Sequence, residues 1–232
     1  MPDSISVVLP AYNEEDNIPK TVPAAVSVLE KLGIDYEVVV VDDGSRDRTA
    51  DVTMELARDN PRIRLVQHGV NRGYGAALVT GFSSATKDWT FLTDSDNQFD
   101  LTDLDKFVPL MGEADIIIGY RAPRRDPFLR RVYGKGWTTL INLLFGYAAR
   151  DVDCAFKLFK REVYESITLE SRGATLSGEF LVKARRKGYR FKQVPVKHLP
   201  RAAGQQTGAR IRVIVRAFRE LVRMWWRLRK EK

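Results

Sequence analysis

The chain has 232 residues, 44% of them apolar and 29% charged, with a net charge of +8. That is enough chain for one substantial core, and the composition excludes wholesale disorder. A single cysteine, Cys154, excludes an internal disulfide and a cysteine metal cage, and it points to a reducing, cytoplasmic setting. Met1-Pro2-Asp3-Ser4 has neither the basic nor the apolar region of a secretory signal. The charge is uneven: residues 210–232 carry seven Arg and two Lys against two Glu, and residues 121–135 carry five Arg and one Lys against Asp126. Two basic patches on an otherwise acidic body imply an anionic partner, whether phosphate groups, a membrane surface or nucleic acid.

Ile5-Ser6-Val7-Val8-Leu9 reads as a short strand, and Pro10-Ala11-Tyr12-Asn13-Glu14 as the loop leading from it into a helix. Tyr36 to Val41 is nearly all β-branched, as a strand covered on both faces of a parallel sheet requires, and it ends in Asp42-Asp43-Gly44-Ser45. Ile63-Arg64-Leu65-Val66 predicts a third strand, followed by Asn71-Arg72-Gly73-Tyr74-Gly75 and a helix over Ala76 to Ala85. A fourth strand runs toward Asp94, a helix is expected over Asp103 to Met111, and Asp115 to Gly119 predicts a fifth strand. This alternation predicts an α/β fold with an open, mostly parallel sheet flanked by helices, whose ligands bind beyond the carboxyl ends of the strands. Gly73-Tyr74-Gly75 is a fragment of a dinucleotide fingerprint, but it follows the third strand instead of the first, and a tight turn accounts for it equally.

The fourth strand gives way abruptly to Asp94-Ser95-Asp96-Asn97-Gln98. Alternation on an extended chain would place Asp94, Asp96 and Gln98 on one side, a set of oxygen donors suited to Mg²⁺ or Mn²⁺ with positions left open for substrate phosphates. The alternative is a solvated acidic turn capping a helix near Leu101 through Asp100 or Thr102.

Taken in order, Pro10-Ala11-Tyr12-Asn13-Glu14, Val41-Asp42-Asp43-Gly44-Ser45, Asn71-Arg72-Gly73-Tyr74-Gly75 and Asp94-Ser95-Asp96-Asn97-Gln98 resemble the family 2 glycosyltransferases of the GT-A (nucleotide-diphospho-sugar transferase) fold. The resemblance implies a sugar-nucleotide donor, a Mg²⁺ or Mn²⁺ cofactor at a D-x-D element and inversion at the anomeric carbon. By position, Pro10, Tyr12, Glu14 and Asp42 would hold the base and ribose, with Gly73 also in the donor site. Asp94 would support the nucleotide, and Asp96 and Gln98 would reach the metal. Further on, Gly119-Tyr120-Arg121, the run Asp151 to Lys157 and the run Pro195 to Gly204 are similar to the polyprenyl-phosphate glycosyltransferases of the dolichyl-phosphate mannose synthase type. That likeness implies transfer of mannose or glucose, from GDP-mannose or UDP-glucose, to a polyprenyl phosphate. It gives Arg121 to the lipid phosphate and Arg201 to the donor phosphates, so that Asp96, Arg121 and Arg201 form the catalytic set.

Elementary chemistry leads the same way. A phosphomonoester is largely dianionic at neutral pH and needs cations, not a base, to become a positioned nucleophile. Arg121, Arg124, Arg125, Arg130, Arg131 and Lys135 offer them, with Arg121, Arg131 and Lys135 as the expected acceptor-phosphate residues. A sugar-hydroxyl acceptor would instead require a base, and Asp153, Asp151 and Glu179 are its candidates. The lone His198 reads as a packed side chain, and Cys154 as a small buried one. Nucleic acid is not an expected partner, since it would leave the carboxylate motifs without a task.

The apolar run from Trp137 to Ala149 has 13 residues, short of the roughly 20 that span a bilayer. From Ala209 onward, Arg212, Arg216, Arg219, Arg223 and Arg227 recur at helical spacing opposite Ile211, Ile214, Val215, Phe218, Leu221, Val222 and Trp225. This predicts a basic amphipathic helix over 210–232, appended to a transferase domain over 1–209. Such a helix suits a membrane surface, so peripheral attachment on the cytoplasmic face of a membrane is expected.

Overall fold

The computed structural model describes residues 4–126, 128–173, 175–200 and 211–230, with the side chains of the last helix described from Val215 onward. Among these residues seven strands form one sheet: β1 (Ile5–Ala11), β2 (Tyr36–Asp42), β3 (Ile63–Gln67), β4 (Trp89–Leu92), β5 (Ile116–Arg121), β6 (Lys157–Lys160) and β7 (Phe191–Val196). Their order is β3-β2-β1-β4-β6-β5-β7. All pairings are parallel except those of β6, which runs antiparallel to both β4 and β5.

Among the described residues seven helices flank the sheet: α1 (Ile18–Lys31), α2 (Thr49–Asp59), α3 (Tyr74–Ser84), α4 (Phe128–Phe145), α5 (Arg161–Glu165), α6 (Thr175–Arg186) and α7 (Ile211–Lys230). Every residue of β1 and β2 is buried, as the near-continuous apolar runs of a doubly covered sheet require. Alternation splits β1 between the two layers. Ile5, Val7 and Leu9 pack with Val22 and Leu29 of α1, while Val8 packs with Leu78 and Phe82 of α3 and with Phe180 of α6. α7 adds Leu221, Met224 and Leu228 to that second layer. The expected boundary at 209/210 lies outside the described residues.

Two expectations need correction. The helix expected over Asp103 to Met111 is a pair of short 3-10 turns, Leu101–Lys106 and Val108–Leu110. Pro109 lacks the N–H an α-helix would use there, and its ring would clash with the carbonyl one turn earlier. The Asp100 side chain does cap the first turn, accepting from the Thr102 N–H. The second correction concerns β6 and β7, which complete the sheet without having been expected. β6 is only four residues long, with Lys at both ends, and β7 contains Pro195, which an edge strand tolerates.

Because β6 is reversed, its amino end meets the carboxyl ends of β4, β5 and β7. The loops after β1, β2, β3, β4, β5 and β7, and the turn before β6, therefore share one edge of the sheet.

Close packing of α3 on β1 depends on Gly81, where a Cβ would stand 2.3 Å from Val8 Cγ1. Gly81→Ala should therefore destabilise the protein by about 1–3 kcal/mol through overpacking, seen as a lower urea midpoint with an unchanged denaturant slope.

Candidate active site

At the shared edge the loops are tied to one another by buried polar groups. Asp43, at the end of β2, accepts from the N–H groups of Arg72 and Gly73, both at 2.8 Å, and pairs with His68 Nδ1 at 2.7 Å. It thereby fixes Gly73, whose φ of +94° favours glycine, as the N-cap of α3. Gly44 has φ +70°, and a Cβ there would lie 2.6 Å from the Asn71 nitrogen, so this turn can close on the next loop only with glycine. Asn13 joins the first two loops, its N–H donating to Ser45 Oγ and its side-chain oxygen accepting from the Arg46 N–H. Ser95 Oγ donates to the Pro10 carbonyl at 2.8 Å, and Tyr74 Oη donates to Asp94 at 2.9 Å. Pro10, Tyr12, Glu14, Asp42, Gly73, Asp94, Asp96 and Gln98 thus come from four loops held at one edge. A cavity of about 340 Å³ opens between the first two loops, lined by Glu14, Asp16, Arg46 and Asp47 among others.

The D-x-D stretch is organised differently from the expected alternation. β4 ends at Leu92, and Asn97 has φ +56°, so residues 93–98 turn instead of continuing as a strand. The turn is held by Thr21, whose hydroxyl contacts the Ser95 carbonyl and Asn97 Oδ1, and by Asn97 Nδ2, which donates to Asn17. Asp96 is buried and accepts the Gln98 N–H at 3.1 Å. Gln98 Nε2 donates to the Leu199 carbonyl at 3.4 Å, which leaves the amide oxygen as its ligand atom. Among the described residues no three His, Cys, Asp or Glu side chains form a metal cage. One carboxylate and one carboxamide oxygen fit a hard divalent cation that shares its remaining positions with phosphates.

Electrostatics divide the carboxylates. Burial raises Asp94 above the usual carboxylate range. Burial and the neighbouring Asp151 charge push Asp153 up to about 6, and its carboxylate has no hydrogen-bond or ion-pair partner among the described residues. Asp151 behaves oppositely. Burial disfavours its charge, but a two-point pairing with Arg121, at 2.7 and 2.8 Å, outweighs that and lowers it. Glu179 is fully buried, yet Lys183 and the Ser171 N–H hold it below its ordinary value. Of the three possible bases, only Asp153 makes no direct ion pair among the described residues, although Arg121 and Lys157 are near enough to lower it in part. Burial also pushes the Cys154 thiol up to about 12, so it is inert packing, as the sequence suggested.

Arg121 ends β5 with its guanidinium 2.7 Å from Asp151 and 3.6 Å from Asp126. Arg124 and Arg130 also pair with the fully buried Asp126 side chain. Arg125, Arg131 and Lys135 are exposed and have no carboxylate partner among the described residues. Arg201 lies outside the described residues.

Sequence reasoning passed over the roles of Lys157 and His68, and it read His198 as the packed side chain that it is. Lys157 is 2% exposed and donates to the carbonyls of Val152 and Cys154; burial lowers its pKa, and its amino group is near enough to Asp153, Asp151 and Asp94 to feel their charges. His68 is positioned by Asp43, and no spacing in the sequence marks it. His198 packs edge-on against Phe99 at 5.6 Å, next to Gln98, and accepts the Arg125 N–H; burial lowers it to about 4 and keeps it neutral.

A model of the family described as "Glycosyl transferase family 2" matches residues 6–168. Glycosyltransferase AglD of Haloferax volcanii is 34% identical over 97% of this chain and 37% of its own length. Dolichyl-phosphate beta-glucosyltransferase ALG5A of Trichomonas vaginalis is 33% identical over 83% of this chain and 64% of its own. Among solved structures, glucosyl-3-phosphoglycerate synthase from Mycobacterium tuberculosis, in complex with Mn²⁺, UDP-glucose and phosphoglyceric acid, superposes with a TM-score of 0.75 at 19% identity. That superposition covers 96% of this chain and 80% of the other. The four loops, the α/β sheet and this likeness define the GT-A fold. The chain belongs to glycosyl transferase family 2, and it spans less than two thirds of the length of these curated relatives.

An unpaired carboxylate with a raised pKa costs stability once it ionises. Asp153 is protonated in both states below about pH 4, and folding is opposed progressively as pH rises through 4 to 6. Asp153→Asn should therefore raise stability at pH 7 by about 1–2 kcal/mol after screening by cleft water. Thermal melts at the two pH values should show that gain disappear below pH 4.

Proposed function

We propose that this chain transfers a hexose from a nucleoside diphosphate sugar to a polyprenyl phosphate at a membrane surface, with inversion at the anomeric carbon. The observation that carries the reading is the pairing, on one sheet edge, of a carboxylate-rich donor half with a basic segment whose Arg125, Arg131 and Lys135 lack carboxylate partners among the described residues. The names of the curated relatives support the lipid-phosphate acceptor. Glucose and mannose both stay in view, with ALG5A favouring glucose and the sequence resemblance mannose.

In this reading Tyr12, Glu14 and Asp42, set by the Asn13–Ser45 bridge, receive the base and ribose beside Pro10. Gly73 lets the backbone approach the diphosphate. A divalent cation held by Asp96 and Gln98 would supply positive charge to the leaving diphosphate. Arg125, Arg131 and Lys135 orient the acceptor phosphate, and Arg121, its fork engaged by Asp151, fixes the segment behind them and adds charge at short range. An acceptor phosphate oxygen forms the new bond to the anomeric carbon. The bond to the nucleoside diphosphate breaks on the opposite face, and its electron pair leaves with that diphosphate. Arg201 is the proposed further partner of the donor phosphates.

A second reading rests on Asp153. Near pH 7 it is an ionised, unpaired carboxylate in the cleft with a pKa near that of an effective base, as transfer to a sugar hydroxyl would require.

The deciding experiment is a transfer assay with labelled nucleotide sugars and Mn²⁺, with and without a short polyprenyl phosphate. Label should enter the organic phase only with the lipid phosphate, and EDTA should remove it. Asp96→Ala should lower turnover by about 10²-fold or more, and retained activity would refute its role. Asp153→Asn separates the two readings: transfer to lipid phosphate should survive it, whereas a hydroxyl-acceptor reaction should fall by about 10²-fold or more.

A further inference from the structure

α7 has three sides, not the two that its sequence pattern suggests. Ala217, Leu221, Met224 and Leu228 are buried against the body. Arg216 and Arg227 are engaged by carboxylates, the first by Glu220 and the second by Glu170 and Glu179. The remaining side presents Val215, Phe218, Val222 and Trp226, each 48–57% exposed, at steps of three and four that keep them on one stripe.

Between the apolar stripe and the engaged side lie Arg219 and Arg223, which have no carboxylate partner among the described residues. With Arg172 they line a groove of about 730 Å³ between α7 and the segment before α6. The stripe continues onto α4 through an edge-on contact of Phe218 with Trp137 at 5.8 Å, and α4 exposes Val132 and Tyr133 beside Arg131 and Lys135.

We propose that this face docks on a membrane containing anionic phospholipid, with the apolar stripe in the interfacial layer and a lipid phosphate seated by Arg219, Arg223 and Arg172 in the groove. Charge selects the occupant. Contiguous exposed apolar side chains mark an interaction surface, and here cations border them. Glu220, the one acidic side chain of α7 in its described span, is already paired with Arg216. A second copy of the chain would set arginines against arginines. No helix among the described residues is long and apolar enough to cross a bilayer, so α7 is suited to lie along one.

The choice of a membrane rests on the lipid-phosphate reading, but its test needs neither donor nor acceptor, so the two can fail separately. The intact chain should cosediment with vesicles of phosphatidylcholine mixed with phosphatidylglycerol, not with phosphatidylcholine alone, and binding should weaken with salt. The pair Arg219→Glu and Arg223→Glu should lower that binding by about tenfold or more. Val222→Ser with Trp226→Ser should also lower it, and unchanged thermal unfolding of both variants would show that the fold is kept. Equal binding by the charge-reversed protein would overturn the headgroup seat, and equal binding by the serine variant would overturn the apolar insertion. Absence of binding to either vesicle would overturn the whole proposal and pass the face to a protein partner.

Discussion

A single buried carboxylate holds the loops after β2 and β3 in register. Asp43 stands where β2 leaves the sheet, and both its oxygens are taken, by two backbone N–H groups of the next loop and by the His68 ring. Buried donors without that acceptor would each carry a desolvation cost, so the loop after β3 closes on β2 and nowhere else. That closure places Gly73 at the start of α3 and Tyr74 where its hydroxyl meets Asp94. Thus a residue at the end of β2, two strands away, reaches the D-x-D turn through Tyr74, alongside the Thr21 and Asn17 contacts that hold it.

The other half of the edge is governed by charge. Asp126 and Asp151 are buried and paired with Arg121, Arg124 and Arg130, and the buried Lys157 amino group interacts with the charges of Asp153 and Asp94. Each buried charge is costly alone and tolerable when paired. The result is a set of arginines whose geometry is fixed by carboxylates, with the unengaged cations pointing outward. This is a preorganised arrangement, because little rearrangement is needed when an anion arrives.

The sequence made the first half of the fold legible because its strands are apolar runs ending in compact polar motifs. β1 to β5 lie where alternation and β-branching put them, and each motif falls at a carboxyl end. The second half was harder to read. β6 is short and bordered by lysines, and β7 carries a proline, so local propensity argued against both until the sheet supplied partners. Site residues within motifs were readable as types, but their pairings were not. Nothing in the spacing of Arg121 and Asp151 announces a two-point ion pair across 30 residues. Nor did the pattern of α7 distinguish Arg227, tied to Glu170 and Glu179, from the arginines left in solvent. Periodicity reports one face of a helix at a time, and α7 has two apolar faces.

The reversed strand β6 also divides labour along the chain. In the proposed reaction the nucleotide-facing loops come from residues up to about Phe99, and the acceptor-facing groups all come from later segments. The two parts share the β4–β6 pairing and a common core, and at the site they meet again where the Gln98 carbonyl accepts the Leu199 N–H and where the backbone of Arg172 and Gly173 closes against Gly75. Neither part can therefore be redrawn alone at these contacts, because a substitution that shifts one backbone is felt by the other across the seam.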